Sequence, residues 1–120
     1  MDTKIFTAAE IHSLIEGTVF SGESMLESRK VEKAFCSDLM SDVLTLLADN
    51  LLLITGLNNI QAVRTAEMSD ICTILLVRGK RPTDRMIELA GHHDIVLMGT
   101  SYSMYRAGGT LYTAGLRHVY

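Results

Sequence analysis

Four short apolar runs, each followed at once by hydrogen-bonding residues, constrain the fold of this chain more than any other feature. The runs end at Cys36, Ile54, Val77 and Met98, and longer segments of helical pattern separate them. Their apolar character is continuous rather than alternating, which is typical of strands buried on both faces of a parallel sheet. We therefore predict an α/β fold: a single domain over residues 1–120, with a mainly parallel sheet of about four to five strands flanked by helices.

Capping and turn signals predict where the helices and the remaining strands lie. Thr7 can cap a helix over residues 8–16, with Glu10 completing a capping box and Gly17 ending the helix. The other predicted elements are strands over residues 18–21 and 31–36, an exposed loop over 22–28, and helices over 39–48, 59–69, 82–90 and 103–114.

Individual residues refine three of these helices. Pro82 suits the first turn of its helix, and Gly91 suits the exit. Gly108 and Gly109 lie inside the last helix, where each costs on the order of 1 kcal/mol relative to alanine, which predicts close backbone packing there. The buried stripe of the helix over 39–48 is expected to consist of Leu39, Met40, Val43, Leu44 and Leu47.

Charge and hydropathy exclude two classes of partner. The net charge is −3, and the eleven basic residues are scattered along the chain, so we expect no nucleic-acid binding. No apolar stretch approaches the roughly 20 residues of a membrane span, and the first residues lack the pattern of a secretory signal. We therefore expect no membrane association and a cytoplasmic protein.

The cysteines and the adjacent histidines do not predict a metal, cofactor or catalytic site. Cys36 and Cys72 fit no metal spacing and lie in or beside apolar runs, so we expect free, buried thiols. His92 and His93 are expected on an extended segment, where neighbouring side chains point to opposite faces. No complete catalytic constellation is recognisable. We therefore expect no catalytic residue, no metal and no cofactor.

The polar residues that follow the apolar runs are the best candidates for a binding site. With right-handed crossovers the carboxyl ends of parallel strands share one edge of the sheet, and ligands bind outside that edge. Asp38 and Asp42, four residues apart, would lie on one helical face and could hold a divalent cation or contact ligand hydroxyls. Helix capping accounts for several of these residues without any ligand, so that alternative stays open. The candidates are Ser37, Asp38, Asp42, Thr55, Asn58, Asn59, Thr100 and Ser101.

Four segments of the chain, in this order and spacing, resemble the DRTGG domain family: FCSDLMSDVL, LLLITGLNNIQAV, ILLVRGKRP and SMYRAGGTLYTAGL. The resemblance covers nearly all 120 residues. It implies a regulatory module, since members are attached to phosphotransacetylases or CBS-domain proteins, stand alone in anaerobes, or precede the HPr kinase/phosphorylase catalytic domain. It also implies a setting in anaerobic hydrogen metabolism, because lone members occur beside iron hydrogenase genes.

The chain departs from the family pattern in ways that bear on chemistry. The letters DRTGG do not occur as a string, and Asn58 stands where related sequences tend to carry a histidine. A phosphate-binding GxxxxGK[ST] loop is absent, because Gly79-Lys80 is followed by Arg81 and Pro82. The basic residues Arg78, Lys80 and Arg81 are either a solvated loop or a contact for an anionic ligand.

Two functional hypotheses from different classes follow. The first is a non-catalytic regulatory module, a homodimer that binds a small phosphorylated or nucleotide-like metabolite at the carboxyl edge of the sheet. The second is a structural domain for protein–protein interaction, with a protein partner and no small-molecule ligand. Its assembly would use the apolar side chains of Met104, Tyr105, Leu111 and Tyr112.

Overall fold

The computed structural model describes residues 4–120, which form a three-layer arrangement with one main sheet between two layers of helices. The strands are β1 (Phe6–Thr7), β2 (Thr18–Ser21), β3 (Lys30–Val31), β4 (Lys33–Cys36), β5 (Leu51–Thr55), β6 (Thr73–Leu76), β7 (Val96–Gly99) and β8 (Arg117–His118). The helices are α1 (Ala8–Leu14), α2 (Met40–Val43), α3 (Ile60–Met68), α4 (Asp84–His92) and α5 (Met104–Ala114), with a 3-10 turn at Glu23–Met25.

The main sheet has six strands in the order β2-β7-β6-β5-β4-β8. Five of them, from β7 to β8, are parallel, and β2 pairs antiparallel with β7 at the edge. The α/β class, the flanking helices and the mainly parallel sheet are confirmed, but the sheet has more strands than predicted, and the antiparallel β2 makes it mixed. β2 is antiparallel because it pairs with β7 at the edge of the sheet. The four residues of β2 do not predict that pairing.

Alternate residues of the central strands face two separate cores, as a sheet covered on both sides requires. Leu52 and Ile54 of β5 pack with α1 and α5, whereas Leu51 and Leu53 pack with α2, α3 and α4. The segment from β4 to β7 moves across the sheet in single steps, and α5 then returns the chain to the far edge at β8. This topology brings the carboxyl ends of β4, β5, β6 and β7 to one edge.

The structure corrects several predicted element bounds. The strand over 31–36 is broken at Glu32, whose amide donates to the Asn50 carbonyl (2.8 Å) between the short β3 and β4. Residues 22–28 contain the 3-10 turn, and Met25 and Leu26 pack against the core rather than lying in an exposed loop. Thr7 and Glu10 form the capping box as predicted.

The start and end of α4 also differ from the prediction. Thr83 caps this helix, so Pro82 precedes it, and Gly91 lies inside it. His92 is therefore the last helical residue and His93 the C-cap, not an extended pair.

The helix predicted over 39–48 is only one turn long. Of its predicted stripe, Met40 and Val43 are buried, but Leu39, Leu44 and Leu47 are exposed. Leu46, absent from the predicted stripe, is buried because the chain leaves the helix after Val43 and turns this residue inward.

Three further packing predictions are wrong. Cys36 and Cys72 are free thiols but exposed. A Cβ at Gly108 would meet only the Cys36 sulfur at 3.5 Å, and one at Gly109 would meet nothing within 4 Å, so no backbone packs closely there. Leu111, predicted on an assembly surface, is in the core because it points toward β5 from the inner face of α5.

Candidate functional site

Four loops meet at the carboxyl edge of the sheet, one after each of β4, β5, β6 and β7. They contain residues 37–39, 56–59, 77–83 and 100–103. Hydrogen bonds join them in sequence across the edge, so the predicted convergence of these segments has a definite geometry. The centre of that geometry is Asp38.

The Asp38 carboxylate bonds to the neighbouring strand end and does not cap α2. Its Oδ1 accepts from the Thr55 hydroxyl (3.0 Å) and from the Gly56 amide (2.6 Å). The Thr55 hydroxyl oxygen in turn accepts from the Leu57 amide (3.1 Å). The N-cap position of α2 is Leu39, which makes no side-chain capping bond. Capping therefore explains nothing about Asp38.

A guanidinium group lies on the other side of Gly56. A Cβ placed on Gly56 would lie 3.0 Å from the Arg78 Nη2 and 3.5 Å from each Asp38 carboxylate oxygen. Both charged groups therefore surround the same point above the glycine. Among residues 4–120, the single ion pair within 4.0 Å joins His93 to Glu67 (3.9 Å), so Arg78 and Asp38 flank Gly56 without contacting each other.

The turn that carries Arg78 is fixed in place by the end of β7. Arg78 and Gly79 both have positive φ (61° and 69°), and the Lys80 amide closes the turn on the Val77 carbonyl (3.2 Å). The Arg78 amide donates to the Tyr102 carbonyl (2.8 Å). A left-handed arginine is uncommon, and such residues concentrate at functional sites.

The same loop is tied to the β5 side of the edge. The Asn58 amide group donates to the Arg81 carbonyl (3.1 Å), and the Arg81 guanidinium lies 5.5 Å from the centre of the Phe20 ring. Arg78, Lys80 and Arg81 have no acidic partner within 4.0 Å among the described residues. The β6–α4 loop thus carries three basic side chains at this edge, none of them in an ion pair within 4.0 Å among the described residues.

Thr100 has a structural role and makes no contact with the groups around Gly56. It is buried, its hydroxyl donates to the Ile15 carbonyl (2.7 Å), and its oxygen accepts from the Tyr102 amide (3.2 Å). The Tyr102 hydroxyl donates to a Glu16 carboxylate oxygen (2.6 Å), and this hydrogen bond, with burial, raises the pKa of Tyr102. These contacts hold the loop after β7 against the carboxyl end of α1.

The remaining candidates divide into local and unpartnered residues. The Ser37 hydroxyl accepts from the Leu39 amide (3.0 Å), and Asn59 caps α3 by accepting from the Gln61 amide (3.0 Å). Asp42 and Ser101 are exposed, and neither side chain makes a hydrogen bond within the part of the chain that the structure describes, although the Asp42 backbone carbonyl accepts from the Thr45 hydroxyl (2.7 Å).

Asp38 and Asp42 do not form the pair on one helical face that the sequence predicted. Asp38 precedes α2 and Asp42 lies within it, so they do not share a helical face. Within residues 4–120, no group of three or more histidine, cysteine, aspartate or glutamate side chains could hold a metal ion.

The sequence did not single out Gly56, and it left open whether Arg78 is solvated or contacts an anionic ligand. The sequence signal was present in both cases: a glycine directly after the buried strand ending in Thr55, and an Arg-Gly pair at the end of the next strand.

Two cavities lie away from this edge, one of about 730 Å³ beside Leu47 and Cys72 and one of about 290 Å³ between β4, β8 and α5. Partial burial beside the second cavity raises the pKa of the Cys36 thiol. None of the helices in residues 4–120 has the length and apolarity needed to cross a membrane.

Comparison with known proteins gave one family and one fold. A family model described as the DRTGG domain matches residues 10–113. Among solved structures, the CBS and DRTGG domains of the regulatory region of Clostridium perfringens pyrophosphatase, complexed with the activator diadenosine tetraphosphate, are similar with a TM-score of 0.74 and 14% identity. The match covers 88% of this chain and 45% of that one, so this chain spans less than half of that structure. No curated protein matches the sequence.

Proposed function

This chain belongs to the DRTGG domain family, and we propose that it is a non-catalytic regulatory module that senses a small phosphorylated or nucleotide-like metabolite at the carboxyl edge of its sheet. The residues proposed to form the site are Asp38, Thr55, Asn58 and Asn59, joined by Gly56 and Arg78. Ser37, Asp42 and Ser101 lie at its rim, and Thr100 supports it from below.

The observation that carries the proposal is the arrangement around Gly56. Two uncharged donors, the Thr55 hydroxyl and the Gly56 amide, point at one place, and the Arg78 guanidinium lies beside it without an ion-pair partner. Arginine and backbone amides are the groups that proteins use to bind phosphates. Gly56 is buried beneath the Asp38 and Arg78 side chains and has no Cβ, so a ligand oxygen that takes the place of the Asp38 oxygen can reach its amide.

The similar structure supports the class of ligand. The regulatory region of the Clostridium perfringens pyrophosphatase was solved with diadenosine tetraphosphate, an activator of that protein. At 14% identity the likeness establishes the fold alone. That a nucleotide with several phosphates also binds this chain is our proposal, supported by the basic β6–α4 loop.

A thermal-shift screen tests the proposal. The purified chain is titrated with mononucleotides, dinucleoside polyphosphates, phosphorylated metabolites and divalent cations, together with an Arg78→Gln variant. We expect a concentration-dependent rise in Tm for at least one phosphorylated compound, because a ligand that binds the folded state stabilises it. Arg78→Gln should lose that rise. Arg117→Gln is the matched control, since Arg117 starts β8 at the opposite edge of the sheet. A panel that shifts nothing would exclude the sensor.

The second candidate function, a protein–protein interaction domain, is favoured by apolar side chains exposed around α2. Leu39, Leu44 and Leu47 are all at least half exposed, as are Tyr105 and Tyr112 on α5. The homodimer that we propose for the ligand-sensing module could use the same exposed surface. Sedimentation equilibrium of the wild type and of a Leu44→Lys, Leu47→Lys double variant tests it, because a dimer formed through this surface would become monomeric in the variant.

A role in anaerobic hydrogen metabolism is the least direct part of the proposal and rests on the family resemblance. It is tested by hydrogen evolution in an anaerobe that lacks the gene for this chain. Unchanged evolution under all growth conditions would remove this setting and leave the ligand site unaffected.

A further inference from the structure

We infer that Asp38 occupies, in the ligand-free chain, the position of the ligand's own anionic group and is displaced when that ligand binds. The inference rests on the proposed function and deepens it in two ways. It names the recognised group as a phosphoryl or similar oxyanion, and it gives Asp38, which lies in the proposed site, the role of an internal competitor for that group.

The groups that surround the Asp38 carboxylate identify what the position recognises. Its Oδ1 receives a hydroxyl donor from Thr55 and an amide donor from Gly56, at 3.0 Å and 2.6 Å. Arg78 adds a cation on the other side of Gly56. Two donors on one oxygen, with a cation more than 4.0 Å away on the other side of Gly56, form a site for a negatively charged oxygen. A ligand hydroxyl or a metal cation would be poorly matched to it.

Asp38 also meets the conditions for displacement. It is exposed, and among the described residues its Oδ2 has no hydrogen-bond partner. It contributes one negative charge, whereas a terminal phosphoryl group carries about 1.5 to 2 at neutral pH and three acceptor oxygens. The phosphoryl group can therefore use both donors and also reach the Arg78 guanidinium, which the aspartate does not contact.

The released carboxylate needs no new partner within the chain. Asp38 is exposed, so water can hydrate its carboxylate once the oxygen leaves Thr55 and Gly56. Displacement therefore exchanges two hydrogen bonds within the chain for hydrogen bonds to water and leaves no buried charge.

The competition is tested by isothermal titration of the full chain with inorganic pyrophosphate and with diadenosine tetraphosphate. Asp38→Asn keeps an acceptor oxygen for Thr55 and Gly56, so the fold is retained, but it removes the charge. We expect this variant to bind both probes about tenfold more tightly than the wild type, because the neutral amide competes less well for the two donors. Asp38→Ala should bind at least as tightly as Asp38→Asn.

Asp84→Asn is the matched control, because Asp84 opens α4 at the same edge and its removal changes the net charge equally. An equal gain in Asp84→Asn would overturn the inference in favour of a general charge effect. Weaker or unchanged binding by Asp38→Asn, with a wild type that still binds, would overturn it while leaving the proposed site intact. If neither probe binds any variant, the inference fails, and the thermal-shift panel on the wild type decides separately whether the proposed function fails with it.

Discussion

The junction after β4 and the junction after β5 begin alike and end differently. Each consists of a short apolar strand followed by polar residues. After β5, Asn59 accepts from the Gln61 amide, and α3 continues for nine residues. After β4, Asp38 accepts from Thr55 and Gly56 of the other junction, and α2 ends after four residues. Asn59 therefore caps the helix that follows it, whereas Asp38 joins the loop after β4 to the end of β5.

The difference shows that a side chain at a strand end has two competing uses. A carboxylate that bonds across the sheet edge cannot also satisfy the free amides of its own helix, which stay uncapped. The β4 junction uses its acceptor at the carboxyl edge of the sheet, and the short α2 has no side-chain cap. The comparison depends on α2 being short and on Asn59 being a cap, and both can be tested.

The largest expected effect tests whether α2 is short. Leu46 is 5% exposed and Leu47 97% exposed, the reverse of what a helix over residues 39–48 requires. Leu46→Ala should lower the free energy of unfolding by about 2–3 kcal/mol, whereas Leu47→Ala should change it by less than about 0.5 kcal/mol. Urea unfolding of the two variants measures both. A large loss in Leu47→Ala would mean that the longer helix exists in solution, and the contrast between the junctions would disappear.

A smaller effect tests the β5 junction. Asn59→Ala removes the acceptor for the Gln61 amide and should cost about 1 kcal/mol of unfolding free energy. Asn59→Asp keeps a capping oxygen and should differ little from the wild type, which makes it the control. If Asn59→Ala is as stable as the wild type, the cap does not start α3, and the two junctions are more alike than the hydrogen bonds indicate.

Most of the fold could be predicted because its signals are local. Continuous apolar runs located the strands from β5 to β7, and the pattern around Thr7 located α1. What could not be predicted depends on partners distant in sequence. The break at Glu32 depends on the Asn50 carbonyl, and the antiparallel edge depends on where β2 meets β7. The residues of these two segments do not predict those distant partners.

The candidate site follows the same division. The sequence predicted which segments meet at the carboxyl edge, because parallel strands share that edge. It could not predict that Asp38 would bond to Gly56 rather than cap α2, since both uses suit an aspartate after a strand. Thr100 was a candidate by position, but its hydroxyl turns inward to Ile15, a contact between residues 85 apart.

The smallest expected effect asks what keeps α2 short, the missing cap or the residues after it. Leu39 is extended (φ −99°, ψ 103°) and 58% exposed, so an acceptor fits its position and little burial is lost. Leu39→Asp should raise the free energy of unfolding by about 0.5 kcal/mol through a capping bond and a favourable charge at the helix start. Leu39→Ala, which shortens the side chain without adding an acceptor, is the control. Slower hydrogen exchange at the Ser41 amide would locate the gain. If Leu39→Asp gives neither the gain nor the slower exchange, the length of α2 is set by the turn after Val43, and the bonding of Asp38 to Thr55 and Gly56 does not destabilise its own helix.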